Sequence, residues 1–375
     1  MKKSISMRYI PFSLPLMAAL IIVSYFAFAK QYEVIDSAYL QALTPNSVIV
    51  MVESRSTDDI SVNYSKIGGK EKTAKTVFYK ETETSPKTFV HRILLDGLEP
   101  NTQYNYEVFV GGKSFSKAKF RSGVLPGTPF RFAAMGDCRS NPKVHSKIAK
   151  MIHSEKPLFS LYGGDICANE SYESFRDEFF IPAELKLSAE VPFFNSVGNH
   201  EDWSQNTRAF TQWIESNSTQ ESFYSFDIGD VHFLVISTEH GVTKDSEQWK
   251  FFVDDLKKNK SKWTFALSHI PAYCSGGHGE NHRMKRFVRG VLKPGGVDVF
   301  LTGHSHFYQR NYVDGVYHIV TAGGGAPLYT PKKAKYVQKK AKVHHYCYFD
   351  VTPEQINMTV KDIEGNIIDT LELKK

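Results

Sequence analysis

Aspartate, asparagine and histidine residues stand in five short segments of this chain, each directly after an apolar run. The segments are Gly136-Asp137-Cys138-Arg139, Gly164-Asp165, Gly198-Asn199-His200-Glu201, Ser268-His269-Ile270-Pro271 and Gly303-His304-Ser305-His306. Carboxylate, amide oxygen and imidazole donors suit hard or borderline cations. A carboxylate placed between two cations bridges them and offsets part of their charge. Imidazole and amide oxygen add ligation without adding charge. Two cations about 3.5–4 Å apart share a hydroxide formed at mild pH, which attacks phosphorus in line with the leaving oxygen. A single Gly-Asp or His-x-His is ordinarily a turn or a surface feature. A run of such segments, each placed after an apolar stretch, is not explained that way.

The elements that must position these residues are legible from their flanks. Phe130–Met135, Leu158–Tyr162, Phe193–Val197, Trp263–Leu267 and Val297–Thr302 read as buried strands. The ligands then sit at strand carboxyl ends, where open α/β sheets gather their sites. A glycine ahead of four of the five ligand groups lets the backbone turn sharply off the strand. Asn141 with Pro142 predicts a helix start, and Val144, Ile148, Met151 and Ile152 recur at helical spacing. Phe175, Phe179 and Phe180 mark a second helical stripe. Asp245 is expected to begin a third helix, with Trp249, Phe252, Val253 and Leu256 on one face. Further strands are expected at Val231–Ser237, Tyr317–Ala322, Tyr346–Val351 and Asn357–Asp362.

Ahead of Phe130 the pattern is all-β. Short strands are expected at Ser47–Glu53, Ile60–Tyr64, Thr76–Tyr79, Val90–Leu95, Tyr104–Val110 and Lys117–Arg121. Their number and spacing predict a β-sandwich of about ninety residues. The loop 123–129, rich in Gly and Pro, marks its end. It is short and lacks the Gly/Ser composition of a flexible linker, so packing against the next domain is its expected role.

In order and composition the five motifs resemble the metallophosphoesterases, the calcineurin-like superfamily. With the sandwich ahead of them they look like the purple acid phosphatase branch. The resemblance implies an N-terminal fibronectin type III-like all-β sandwich over residues 30–123. It implies an α/β metallophosphoesterase domain over residues 130–375, a four-layer α/β/β/α sandwich. Leu98-Glu-Pro-Asn-Thr-Gln-Tyr104 resembles the corner of fibronectin type III modules, where a Tyr hydroxyl bonds back to the chain. The family's roles, carried onto matching positions, make Asp137 a ligand of metal one and Asp165 the bridge. Asn199, His269 and His304 fall on metal two and His306 on metal one. His200 stabilises the transition state or leaving oxygen, and His278, in the glycine-rich loop Ser275–Gly279, is either a further proton donor or merely exposed. The Arg139 guanidinium suits holding a phosphate oxygen or forming a salt bridge at the sheet edge. The implied cofactors are two divalent or mixed-valence ions, Fe, Mn or Zn, and the implied partner is a small phosphorylated substrate. The implied reaction is hydrolysis of phosphate monoesters by a metal-bridging hydroxide. A phosphodiester or nucleotide substrate, and a degenerate non-catalytic binding protein, are the alternatives.

Two positions depart from the pattern. Ala168 stands where purple acid phosphatases take a Tyr ligand, and Arg139 where other metallophosphoesterases take a His. Metal one keeps Asp137, Asp165 and His306, with water or Asn169 to complete it, and no tyrosinate-to-iron colour is expected.

Met1–Ala29 has the shape of an export signal. Lys2, Lys3 and Arg8 precede an apolar stretch, and Ala27-Phe28-Ala29 forms a small-x-small cleavage site. An uncleaved membrane anchor is the rival reading, because Ile10–Ala29 approaches the length of a bilayer span. The formal charge of +6 becomes +3 without the three basic residues of that segment. That is too mild to argue for nucleic acid. Export, to a periplasm or the medium, allows disulfides among the four cysteines. Pairing of Cys138 with Cys167 and of Cys274 with Cys347 is one reading, and four buried thiols the other. The lysine-rich run Lys332–Lys342 is either a solvated loop or a device that steers anionic substrates.

Overall fold

Alternating burial is what makes the first part of the chain a sandwich. In Ile60–Lys66, Ile60, Val62 and Tyr64 are buried while the residues between them are not, the period-two pattern of a strand with one wet face. The computed structural model describes residues 34–57, 60–211 and 222–375. The segment Met1–Ala29 lies outside the described residues. Seven strands come first: β1 (Tyr39–Gln41), β2 (Val48–Ser54), β3 (Ile60–Lys66), β4 (Lys72–Glu81), β5 (Phe89–Leu95), β6 (Gln103–Val110) and β7 (Lys113–Arg121). The corner before β6 closes as expected, with the Tyr104 hydroxyl accepting from the Glu99 N–H at 2.9 Å.

The α/β part supplies β8 (Phe130–Met135), β9 (Phe159–Tyr162), β10 (Phe193–Asn195), β11 (Tyr224–Ile228), β12 (Val231–Val235), β13 (Trp263–Ser268), β14 (Val299–Thr302), β15 (Tyr308–Val313), β16 (Val316–Thr321) and β17 (Val337–Ala341). Three more close the chain: β18 (His345–Val351), β19 (Gln355–Asp362) and β20 (Ile367–Lys374). Among the described residues one sheet runs β20-β19-β18-β8-β9-β10-β1-β2-β5-β4-β3-β6-β7 and the other β11-β12-β13-β14-β16-β15-β17. Strand β1 joins the sandwich to the α/β sheet, antiparallel to β2 and parallel to β10, with Gln41 opposite Phe193. Strands β8, β9 and β10 are parallel, as are β12, β13, β14 and β16. Parallel strands put all their carboxyl ends on one edge of their sheet, and that edge carries the site.

The two sheets face each other through aromatic rings. Phe132, stacked on its neighbour in the same sheet, Phe349, at 4.5 Å between ring centres, meets Phe265 of the other sheet edge-on at 5.6 Å; Phe159 meets Phe233 edge-on at 5.5 Å. Removing one such buried ring costs about 3–5 kcal/mol. Neighbouring residues point the other way: Leu234, Ala266 and Phe300 pack with Phe252, Leu256 and Phe287 of the outer helices. On the far face Tyr162 meets Phe179 at 5.3 Å, and its hydroxyl donates to buried Glu184 at 2.8 Å. Helices therefore cover both sheets, giving the α/β/β/α layering.

Helix α1 (Pro142–Glu155) starts at Asn141, whose side chain accepts from the Val144 N–H at 3.3 Å. Residues Phe175–Phe179 form a π-helical turn rather than a plain α-helix, followed by α2 (Pro182–Glu190). Helix α3 (Glu247–Lys258) begins one residue later than expected: Ser246, not Asp245, caps it by accepting from the Trp249 N–H. A Ser hydroxyl reaching N3 is a full cap, and Asp245 lies outside it.

The cysteine pairing is corrected: all four are free, buried thiols. Cys347 lies on β18 in the core between the sheets, while Cys274 belongs to a separate small cluster with Phe307. The Cys167 thiol donates to the Asn169 carbonyl at 3.2 Å. The lysine run is also placed. Part of it is β17, an outer strand of its sheet, where lysines hinder edge-to-edge pairing. Among the described residues no helix is long and apolar enough to cross a membrane.

Candidate metal centre

The six proposed ligands converge. Asp137, Asp165 and Asn199 follow β8, β9 and β10, while His269 follows β13 and His304 and His306 follow β14. The two sheets thus each contribute half of the set at a shared edge. His269 Nε2 lies 3.2 Å from Asp165 Oδ1, 3.1 Å from Asn199 Oδ1 and 3.1 Å from His304 Nδ1. His306 Nε2 lies 3.3 Å from Asp137 Oδ1. Ligand atoms of Asp137, Asp165 and His306 all lie within 4.8 Å of one another. Asp137, Asp165, His269 and His306 are buried, His304 is partly buried, and Asn199 is exposed at the rim.

Backbone carbonyls fix which nitrogen of each ring points inward. His269 Nδ1 donates to the Gly163 carbonyl at 2.8 Å and His306 Nδ1 to the Pro327 carbonyl at 2.8 Å. Each Nε2 is then the ring nitrogen that faces the cluster. Asp137 is held by the His304 N–H, 3.1 and 2.9 Å from its two oxygens. Asp165 Oδ1 takes the His200 N–H at 3.2 Å.

The turn off the strand works differently from the sequence expectation. Asp137 (φ 59°), Asp165 (φ 52°) and His304 (φ 69°) themselves adopt the left-handed region, a cost of order 1–3 kcal/mol each that clusters at functional sites. Gly164 also turns there as expected (φ 79°), while Gly198 and Gly303 are needed for close approach. A Cβ on Gly198 would lie 2.2 Å from the Asp165 nitrogen, and one on Gly303 would lie 2.5 Å from the Gly163 carbonyl oxygen.

Charges in the cluster answer one another. Burial alone would raise the Asp165 carboxyl, but His269, His200 and Arg139 outweigh it and hold it below the usual carboxylate range. Burial would lower His269, yet Asp165 and Asp137 carry it above the ordinary histidine value. Burial, together with His269 and His278, pushes His304 down to about 3, so its ring is neutral and free to ligate.

The other named residues are nearby. His200 donates from Nδ1 to the Ala168 carbonyl at 2.7 Å, leaving Nε2 3.8 Å from Asp165 Oδ2. His278 stacks on His304 at 4.1 Å between ring centres and is exposed. Arg139 is largely buried, with Nε 3.1 Å from Asp165 Oδ2 and Nη2 3.4 Å from His306 Nε2. It is thus an ion-pair partner of the proposed bridging carboxylate. Asn169 does not come into the cluster: its Oδ1 accepts from the Ser171 N–H at 2.9 Å and the residue is exposed.

Two residues escaped the sequence reading. Tyr329 stacks on His306 at 4.3 Å and meets His278 edge-on at 5.4 Å. The glycine-rich stretch before it was the one available signal. Glu201 is buried under the site and accepts from the Gly198 N–H at 2.8 Å. Burial and the charge of Asp165 push its carboxyl up to about 8. Its place beside Asn199-His200 was the hint.

Similarity searches agree with this picture. The family "Calcineurin-like phosphoesterase" matches residues 130–308, and "Purple acid Phosphatase, N-terminal domain" matches residues 37–122. Purple acid phosphatase 22 of Arabidopsis thaliana is 28% identical over 276 residues, covering 67% of this chain and 61% of the relative. Acid phosphatase type 7 of Danio rerio is 26% identical over 328 residues, covering 76% and 73%. The chain thus spans about three fifths of the length of the first of these relatives. The solved purple acid phosphatase PPD1 of Lupinus luteus shares the fold at a TM-score of 0.78 and 18% identity, over 90% of this chain and 74% of that one. Two family matches in tandem, on a fold whose strand ends gather the motif residues, show that this chain carries a calcineurin-like metallophosphoesterase domain preceded by a purple acid phosphatase N-terminal domain.

Proposed function

We propose that this chain is an exported, metal-dependent phosphoesterase that hydrolyses phosphate monoesters at the strand-end site. One observation carries the reading: Asp165, Asn199 and His304 each bring an electron-pair donor to within 3.1–3.2 Å of His269 Nε2. A single proton on His269 Nε2 satisfies one of these contacts, whereas a cation seated among the donors would satisfy all of them. Oxygen and imidazole donors in that set fit a divalent first-row ion. The set around Asp137, Asp165 and His306 fits less well, because Arg139 already bonds two of its three members. A divalent ion at the site supplies Lewis acidity toward a phosphoryl oxygen and makes water nucleophilic at mild pH.

The chain's own residues do the rest. Asp137, Asp165 and the ring carbonyl anchors hold the ligand geometry before substrate arrives. Arg139 has five N–H donors, and those not committed to Asp165, Ser140 and His306 are available to phosphate oxygens. His200 in its protonated form gives its Nε2 proton to the leaving oxygen as the ester P–O bond breaks. His278, against His304, assists on the same side. Residues 30–123 serve as a packing partner. Tyr39 and Tyr106 donate to the Phe210 and Ala189 carbonyls of the catalytic domain at 2.9 and 2.8 Å, so the sandwich is fastened there.

The test is phosphate release from an aryl monophosphate, a diester and a nucleotide by metal-reconstituted protein, with Asp165→Ala and Asn199→Ala alongside. Turnover on the monoester that disappears with metal in both variants is expected. No turnover on any ester after reconstitution would leave a binding protein. Preference for the diester or nucleotide would move the substrate class.

A further inference from the structure

We infer that the Arg139 guanidinium occupies the first cation position, so that this chain carries one metal ion, in the second position, where its family uses two. The inference rests on the phosphoesterase reading above and concerns how that site is charged.

The first position is bounded by Asp137, Asp165 and His306, whose ligand atoms lie within 4.8 Å of one another. A cationic side chain is already seated against this group. Arg139 Nε is 3.1 Å from Asp165 Oδ2 and its Nη2 is 3.4 Å from His306 Nε2, while Nη1 reaches Ser140 Oγ at 3.2 Å. The Pro327 carbonyl holds the His306 proton on Nδ1, so Nε2 faces the guanidinium as an acceptor. Any ion in the first position needs those same two electron pairs, on Asp165 Oδ2 and His306 Nε2. Arginine does not deprotonate in proteins and has no lone pair to offer. It therefore competes with an ion there and cannot serve as a ligand to it.

Among the described residues, the two positions that could complete the first site do not make up the loss. Ala168 offers only a methyl, and its carbonyl is taken by His200 Nδ1. Asn169 is turned to its own backbone. The second position has four donors, Asp165, Asn199, His269 and His304, and no arginine or lysine among them. Two carboxylates, one guanidinium and one divalent ion leave a single positive charge facing the phosphate. The guanidinium's uncommitted N–H groups point that charge at planar oxygen pairs.

The experiment is metal content of the full chain after incubation with excess Mn²⁺ and removal of free ion, read by mass spectrometry and electron paramagnetic resonance. One ion per chain, with the hyperfine pattern of isolated Mn²⁺, is expected. Two ions with a spin-coupled signal would overturn the inference and leave the phosphoesterase reading standing. No bound ion would overturn both. His306→Ala is expected to keep its ion and Asn199→Ala to lose it, and the reverse would place the ion in the first position and refute the claim. Arg139→His, which exchanges the cation for a ligand, is expected to raise the content to two. A variant with wild-type circular dichroism that still holds one ion would show that the guanidinium is not what excludes the second.

Discussion

Replacing Gly198 by Ala probes how tightly the strand ends are drawn together. The added Cβ would lie 2.2 Å from the Asp165 nitrogen and 2.4 Å from its Oδ1, against a floor of 3.0 Å for real Cβ contacts. The overlap is thus at least 0.8 Å, and it falls on backbone, not on a flexible side-chain end. Relief by moving Gly198 away is blocked, because its N–H is held by Glu201 at 2.8 Å and Asn199 follows directly. Relief by moving Asp165 displaces a proposed ligand. Overpacking of this kind costs about 1–3 kcal/mol of stability, and a shift near 1 Å at the reacting centre costs on the order of 10²-fold in rate. We expect Gly198→Ala to lower Tm modestly, weaken metal binding and cut kcat about a hundredfold. Gly315→Ala is the control: Gly315 has φ 83° but nothing within 4 Å, so strain of about 1–2 kcal/mol should appear without loss of turnover. Thermal unfolding, metal titration and phosphate release read both variants. Wild-type metal affinity and kcat in Gly198→Ala would refute the claim that Asp165 and Asn199 are locked across this contact.

Three further outcomes are expected. His200→Ala should lose more rate on poor leaving groups than on good ones, because a proton donor matters most where the departing oxygen is basic; equal losses would remove that role. His278→Ala should show the same bias more weakly, and a uniform loss would reduce His278 to a wall that packs on His304. His232, near the start of β12, gives a pH effect on stability: burial disfavours its charge, but Asp227 and Asp255 bond its two ring nitrogens and push it up to about 9. Its folded value lies above the unfolded 6.5, so this stabilisation is full below pH 6.5 and is lost as pH rises through 9. It amounts to on the order of 3 kcal/mol, less whatever solvent screening of exposed Asp227 removes. His232→Asn should flatten the Tm profile across that window, and an unchanged slope would contradict the assignment.

Much of the site was readable because strand-end chemistry has a simple grammar. An apolar run followed by Asp, Asn or His marks both an element and the residue it presents, and β8 begins and ends where its apolar run does. Where the reading fell short, the missing information was three-dimensional. The carbonyls of Gly163, Ala168 and Pro327 that aim His269, His200 and His306 carry no side-chain signature. Tyr329 stacks on His306 from 23 residues downstream (329 − 306), and no periodicity links the two. Arg139 was legible as a departure from the family pattern, but only the geometry shows it bonded to Asp165 and His306. The pairing of β1 with β10 could not be anticipated either, since a three-residue strand leaves almost no pattern.

Location of the bound ion tests the account most directly. A crystal of the metal-loaded chain, measured on either side of the metal's absorption edge, should give an anomalous peak among Asp165, Asn199, His269 and His304. A metal-loaded crystal with no peak in that cage, or with its peak elsewhere on the chain, would contradict the proposal that these strand ends were brought together to hold a catalytic cation.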